Sequence, residues 1–180
     1  MAMKTLFLQA PSFDGFDGGA GSRYQAKREI KSFWYPTWLA QPAALVENSK
    51  LIDAPPHKTS LAEVVAQAKD FDLVVAHTSV PSFRSDVKVI EAMKAANPNL
   101  KAGMIGAKVA VDAEASLREG AAIDFVARNE FDFTIKDVAD DIAWSDIKGI
   151  SYRNRHGAII HNDDRAMIEN MDTLPFVTDR

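Results

Sequence analysis

Five short apolar runs, each cut off by glycine, proline or a polar loop, constrain this chain more than any other feature. The most continuous is Asp72-Leu-Val-Val-Ala76, with no polar alternation inside it. That is the pattern of a strand covered on both faces, as in a parallel sheet. Lys4-Thr-Leu-Phe-Leu8, Lys50-Leu-Ile-Asp-Ala54, Lys101 to Ile105 and Ile123-Asp-Phe-Val126 are runs of the same kind. Segments of helical period lie between them. Ser60-x-x-Glu63 is a capping box, followed by Leu61, Val64, Val65 and Ala68 on one face. Phe83, Val87, Ile90 and Met93 mark a helix that Asn97-Pro98 ends, and a shorter one runs from about Ala113 to Gly120. Phe131, Ile135 and Val138 line a last helix, with Asn129 as its candidate cap. Alternation at this pitch predicts an α/β fold: a doubly wound, mainly parallel, five-stranded Rossmann-like sheet with right-handed crossovers.

The end of the chain reads differently. Gly149 to Arg153 and Ala158 to His161, joined through Asn154-Arg-His-Gly157, predict a C-terminal β-hairpin outside the main sheet. Asp172 to Arg180 has the look of a linker. The expected division is an α/β domain over residues 1–147, then the hairpin and the start of a linker over 148–180.

Several classes of function are disfavoured. With 47% hydrophobic residues the 180-residue chain can bury one full core. Its net charge of −4, without a basic arm, argues against nucleic acid. No span approaches the length of a membrane helix. Cysteine is absent, which excludes disulfides, thiolate zinc sites and cysteine-held iron–sulfur clusters within these residues and fits a cytoplasmic protein.

Ligands of open α/β sheets collect outside the carboxyl ends of the strands. Three segments fall at such ends: Ala10 to Gln25 (APSFDGFDGGAGSRYQ), His77 to Ser82 and Gly106 to Lys108, with Arg128-Asn129-Glu130 as a fourth. Glycines there let backbone approach a ligand closely, although a mobile surface loop would have the same composition. Named phosphate motifs are missing: Tyr24 stands where a dinucleotide fingerprint needs glycine, and Ala20 and Gly21 where a P-loop needs glycine and lysine. The cluster Phe33-Trp-Tyr-Pro-Thr-Trp38 either roofs a core or faces a planar ligand. Of four histidines, only His77 ends a central strand. It is the one weak candidate for a metal. No residues stand out as catalytic.

Taken in order, APSFDGFDGGAGSRYQAKREIKSFWYPTWLAQPAALV, LIDAPPH, DLVVAHTSVPSFRSDVKVIEAMKAANPNLKAGMIGAKVAV, IDFVARNEFDFTIKDV, IKGISYRN and LPFVT resemble the N-terminal cobalamin-binding domain of radical S-adenosylmethionine (SAM) enzymes. The nearest likeness is to the hopanoid-biosynthesis-associated radical SAM proteins, relatives of the anaerobic magnesium-protoporphyrin monomethyl ester cyclase. The resemblance implies a cobalamin-binding type of sheet, with cobalamin as cofactor. It also implies a downstream radical SAM barrel as partner, holding a 4Fe–4S cluster and SAM, so that this domain alone does no radical chemistry. The parent would act in hopanoid side-chain modification.

Two family signatures are absent. In the DxHxxG motif whose histidine ligates cobalt, His57 would be followed by a residue pair and glycine, but Pro55, Lys58 and Thr59 occupy the neighbouring positions. Gly-Gly-Pro-His after the fourth strand is replaced by Ile105-Gly106-Ala107-Lys108. Carried over by position, the candidate cofactor contacts are Ser12, Gly18, Gly19 and Arg23 in the first loop. Thr78, Ser79 and Ser82 would lie under the corrin, and Gly106, Ala107 and Glu130 would flank the nucleotide tail. The competing expectation is the same fold without cofactor, acting as a docking domain for the barrel. Flavodoxin-like and receiver-like readings are weaker, because the first loop is long and acidic and His77-Thr78 stand where a receiver needs its aspartate.

Overall fold

A computed structural model describes residues 2–11, 14 and 35–177. The five apolar runs are strands: β1 (Thr5–Gln9), β2 (Ser49–Asp53), β3 (Leu73–His77), β4 (Lys101–Ile105) and β5 (Phe125–Ala127). They pair in parallel, in the order β2-β1-β3-β4-β5. Two further strands, β6 (Ile150–Arg153) and β7 (Ile159–His161), continue the same sheet in antiparallel sense beyond β5.

The expected hairpin therefore exists, but its placement outside the main sheet is corrected. Without β6, the outer edge of β5 would leave backbone groups unpaired, which a buried strand tolerates poorly. Arg128 clamps the join. Its backbone N–H donates to the Gly149 carbonyl at 2.8 Å, and its guanidinium donates to the carbonyls of Ile150 and Asn162 at 2.8 and 2.6 Å and to the Ser151 hydroxyl.

Helices cover both faces. On one side lie α1 (Thr37–Leu45) and α7 (Asp132–Ala139), whose Leu39, Ala43, Ile135 and Val138 pack with Phe7, Val75, Ile105 and Phe125 of the sheet. On the other lie α3 (Leu61–Gln67), α4 (Phe83–Ala96), α5 (Ala107–Val111) and α6 (Ala113–Glu119). There Val64, Val87, Ile90, Met93, Val109 and Leu117 meet Leu6, Leu8, Val74, Met104 and Val126. Successive strand residues serve opposite faces, which is why the runs have no polar alternation.

The Ser60–Glu63 capping box forms as expected. Four local readings change. The chain from Ala54 to His57 is a short helix, α2, with the two prolines in its first turn, where a missing N–H costs nothing. The helix α1 grows out of the aromatic segment. Ala107 begins α5 where a loop was expected. Asn129 is not the cap of α7 but a left-handed residue, φ 51°, two positions before Phe131, which is the cap.

Packing between β4 and β5 depends on one small residue. Gly103 sits opposite Phe125 in the register, and a Cβ there would lie 2.1 Å from the tip of the Phe125 ring. That ring is fully buried and held edge-on by Trp144 at 5.3 Å, so it has no room to retreat. Gly103→Ala is expected to destabilise the fold by about 1–3 kcal/mol through overpacking. Phe125→Leu in the same chain should recover part of that loss. A double-mutant cycle by urea unfolding measures both, and simple additivity would contradict the packing argument.

Candidate functional site

The strand order reverses between β1 and β3. From β1 the chain goes outward to β2, then returns to the other side of β1 and proceeds through β3, β4 and β5. The helices that follow β1 and β3, α1 and α4, lie on opposite faces of the sheet, and in a sheet of this order the usual ligand position is the carboxyl edge between two such strands.

The register fixes what lines that edge. Asp53, Gln9, His77 and Ile105 are direct neighbours across β2, β1, β3 and β4, so they form one row at the last position of each strand. The His77 ring is packed by Trp38 of α1, with centroids 4.9 Å apart. Trp38 thus roofs this end of the core, while Tyr35 is 84% exposed. Gln9 is buried, and its Oε1 has no hydrogen-bond partner. A buried unpaired amide oxygen at a crevice mouth is the kind of group a ligand donor satisfies.

Beyond the row, the β3 and β4 loops are pressed together. The Thr78 N–H donates to the Ile105 carbonyl at 2.9 Å. Gly106 has φ +119°, and a Cβ at that position would stand 2.1 Å from the Thr78 carbonyl oxygen. Only glycine permits both the torsion and the approach. Below the loop, Ser82 Oγ accepts the Ser79 N–H at 3.0 Å and lies 2.8 Å from Ser79 Oγ. Val80 projects above it, 71% exposed. The β3 and β4 loops thus offer neutral hydroxyls and backbone together with the exposed Val80.

Of the residues singled out in the sequence, Thr78, Ser79, Ser82 and Gly106 are brought into one contiguous floor, with Ala107 next to Gly106 and exposed. Glu130 follows β5 on the same edge, one strand beyond β4. Ser12, Gly18, Gly19 and Arg23 lie outside the described residues. His77 belongs to the strand-end row. Among the described residues no group of three or more His, Cys, Asp or Glu side chains is placed to hold a metal ion. Among the same residues no helix is long and apolar enough to cross a membrane.

Two buried carboxyls were not foreseen. Asp86, in the first turns of α4, is 3% exposed, and burial pushes its carboxyl up to about 7 against the opposing pull of the nearby Thr78 and Ser82 hydroxyls. Asp132, at the start of α7, is pushed up to about 6, chiefly by burial and secondarily by the nearby Glu130 charge. The signal for Asp86 was in the sequence: it stands three residues after Phe83, on the apolar stripe that runs through Val87 and Ile90.

A sizeable cavity lies elsewhere. About 650 Å³ opens along the edge strand β2, between Pro36 and Ala40 of the α1 entry and Pro56, His57 and Gln67. Tyr35 and Lys50 also line it. The hydroxyls and the required glycine of the candidate residues converge instead on the loops after β3 and β4.

Comparison with known proteins places the fold. No family model matches the chain. A protein of Pyrococcus horikoshii named as an uncharacterized methyltransferase is 28% identical over 158 residues, covering 83% of this chain and 34% of the relative. Among solved structures, the cobalamin-dependent SAM radical enzyme OxsB with aqua-cobalamin and SAM bound superimposes with a TM-score of 0.66 at 11% identity. The same enzyme with aqua-cobalamin alone gives 0.61 at 12% identity. Each superposition covers 91% of this chain and 22% of that one. The two share a fold. The chain spans about a third of the length of its curated relative and about a fifth of OxsB.

Two outcomes test this geometry. Gly106→Ala should cost on the order of 1–3 kcal/mol and speed exchange of the Thr78 amide, read by hydrogen exchange of each variant. For Asp86, the native state holds its proton to higher pH than the unfolded chain does. Its contribution is present below the ordinary carboxyl range and is lost as pH rises through about 7. Asp86→Asn should remove that decline, leaving the variant more stable than wild type near pH 8, by on the order of 3 kcal/mol or less. Denaturant midpoints at several pH values measure it. Parallel pH profiles for the two proteins would contradict the assignment.

Proposed function

We propose that this chain is a cobalamin-binding module of a radical SAM enzyme. The observation that carries the reading is the contiguous floor of Thr78, Ser79, Ser82 and Gly106 at the carboxyl edge. It sits at the strand-order reversal of a fold shared with an enzyme whose structures hold aqua-cobalamin. The residues present fit such a group. A corrin is a broad ring fringed by amides, and it suits neutral hydroxyls, exposed backbone and an apolar projection such as Val80 better than a charged pocket. The unpaired Oε1 of Gln9 adds an acceptor at the same edge.

In this reading Thr78, Ser79 and Ser82 lie under the ring, while Gly106, Ala107 and Glu130 flank the nucleotide tail. Ser12, Gly18, Gly19 and Arg23 reach the cofactor from the first loop. His77 supports the floor through Trp38 instead of ligating cobalt. When bound, cobalamin supplies a cobalt-centred carrier for a methyl group or an electron. This chain's own part is to orient the ring and hold one of its faces. Residues 1–147 carry the cofactor, and 148–180 extend the sheet towards a radical SAM barrel with its 4Fe–4S cluster and SAM. The methyltransferase relative supports a methyl-transferring parent. Action on hopanoids rests on the sequence resemblance alone.

A docking domain without cofactor is the second reading. The exposed Tyr35 and Val80 favour it, since either would serve a protein partner as well as a ligand. A titration with hydroxocobalamin, followed by visible absorbance and calorimetry, separates the two. Saturable one-to-one binding, weakened at least roughly tenfold by Gly106→Ala or Ser79→Ala, is the expected result; tenfold corresponds to one lost good contact. Absence of binding by the full-length parent would leave the docking reading.

A further inference from the structure

We propose, resting on the reading above that a radical SAM barrel belongs to the same polypeptide, that residues 163–177 form the surface on which that barrel docks. After β7 the chain turns back over the domain. The Gly149 N–H donates to the Asp163 carbonyl at 2.7 Å, and the Asn162 side-chain amide donates to the carbonyls of Trp144 and Ile147, each at 2.7 Å. Arg165 then reaches α7: its Nε donates to Thr134 Oγ1 at 3.0 Å, and its guanidinium pairs with Asp137. Asn170 caps a turn over Met171–Thr173. At the far end Gln41 of α1 donates to the Pro175 carbonyl at 3.0 Å. The segment is thus a strap fastened from the β6–β7 hairpin across α7 to α1.

What the strap presents to solvent is apolar. Met167, Met171 and Phe176 are 76%, 64% and 78% exposed, three of the eight large apolar side chains that stand exposed among the described residues. A cavity of about 380 Å³ opens beside Met167 and Ile168, walled by Phe133 and Thr173. Exposed apolar groups gathered beside such a recess mark an interaction surface, and methionine adapts readily to a partner. Charge selects the occupant. The strap carries four carboxylates, Asp163, Asp164, Glu169 and Asp172, against one arginine, which Asp137 already engages. Asp164 pairs with Arg128, while Glu169 and Asp172 are exposed. A second copy in a two-fold dimer would lay this acidic strap on itself, where like charges repel. The surface fits instead an apolar face rimmed by lysine or arginine. A barrel on the same polypeptide would meet it at high effective concentration, so a modest contact suffices. This chain matches 34% of its curated relative and 22% of OxsB, so in both most of the polypeptide lies outside it.

Methionine oxidation reads this surface directly, because Met167 and Met171 lie on it while Met93 and Met104 are fully buried and serve as controls. This chain and the full-length parent are each treated with dilute hydrogen peroxide, and sulfoxide at each methionine is followed by mass spectrometry. Met167 and Met171 should oxidise fast in the chain alone and roughly tenfold more slowly in the parent, as for a docked state open about a tenth of the time. Glu169→Lys combined with Asp172→Lys should restore much of the fast rate in the parent and leave the chain alone unchanged. Equal rates in chain and parent overturn the proposal. So does protection in the chain alone that grows with its concentration, which makes a second copy the occupant. Protection in a parent whose remaining chain binds no 4Fe–4S cluster overturns the partner named here. Corrinoid binding, read by visible absorbance of the same parent samples, is scored separately. A parent that protects both methionines without binding corrinoid fails the cofactor reading and keeps the docking surface, whereas corrinoid bound beside unprotected methionines fails the docking surface alone.

Discussion

The carbonyl oxygen of Thr78 occupies the space that any side chain at position 106 would need. This approach joins the loops after β3 and β4 into one surface, and much of the site depends on it. The Thr78 N–H bond to Ile105 locks the β3 loop to the end of β4, and Gly106 then turns the chain directly into α5. The sheet order places this surface beside the reversal between β1 and β3. Rigid strands therefore present short loops, which is what preorganised recognition of a large cofactor requires.

A cost in stability lies beneath that surface. Asp86 would be cheaper to bury as an apolar residue, and its ionisation weakens the fold as pH rises. The opposite edge shows no such cost. Arg128, Arg165 and Asn162 tie β6, β7 and the following segment down with ordinary hydrogen bonds to carbonyls and carboxylates. One end of the sheet is built for firmness and the other for contact.

Much of this was legible in the residues. Runs such as Leu73 to Ala76 read as strands because both faces of a parallel sheet are apolar, and the helical stripe of Phe83, Val87, Ile90 and Met93 has the correct period. The loops at the strand ends followed from chain order alone, and Thr78, Ser79, Ser82 and Gly106 do converge. What failed were features set by distant partners. Nothing in Gly149 to His161 announces that β5 has an open edge for it to fill. The start of α1 at Thr37 is masked by an aromatic run with a proline inside the following helix, and its Trp38 finds His77 across 39 residues of chain. Asp86 was readable as a carboxylate on an apolar face, yet the depth of its burial becomes evident only in the folded chain.

The central claim is one of place: a corrin lies on the β3 and β4 loops at the strand-order reversal. Hydrogen exchange of the protein with and without hydroxocobalamin tests it most directly. The account predicts slowed exchange confined to the amides around Thr78 to Ser82 and Ile105 to Lys108, with the β2 edge from Lys50 to Thr59 unchanged. Protection centred on the β2 edge, with the two loops unaffected, would contradict it.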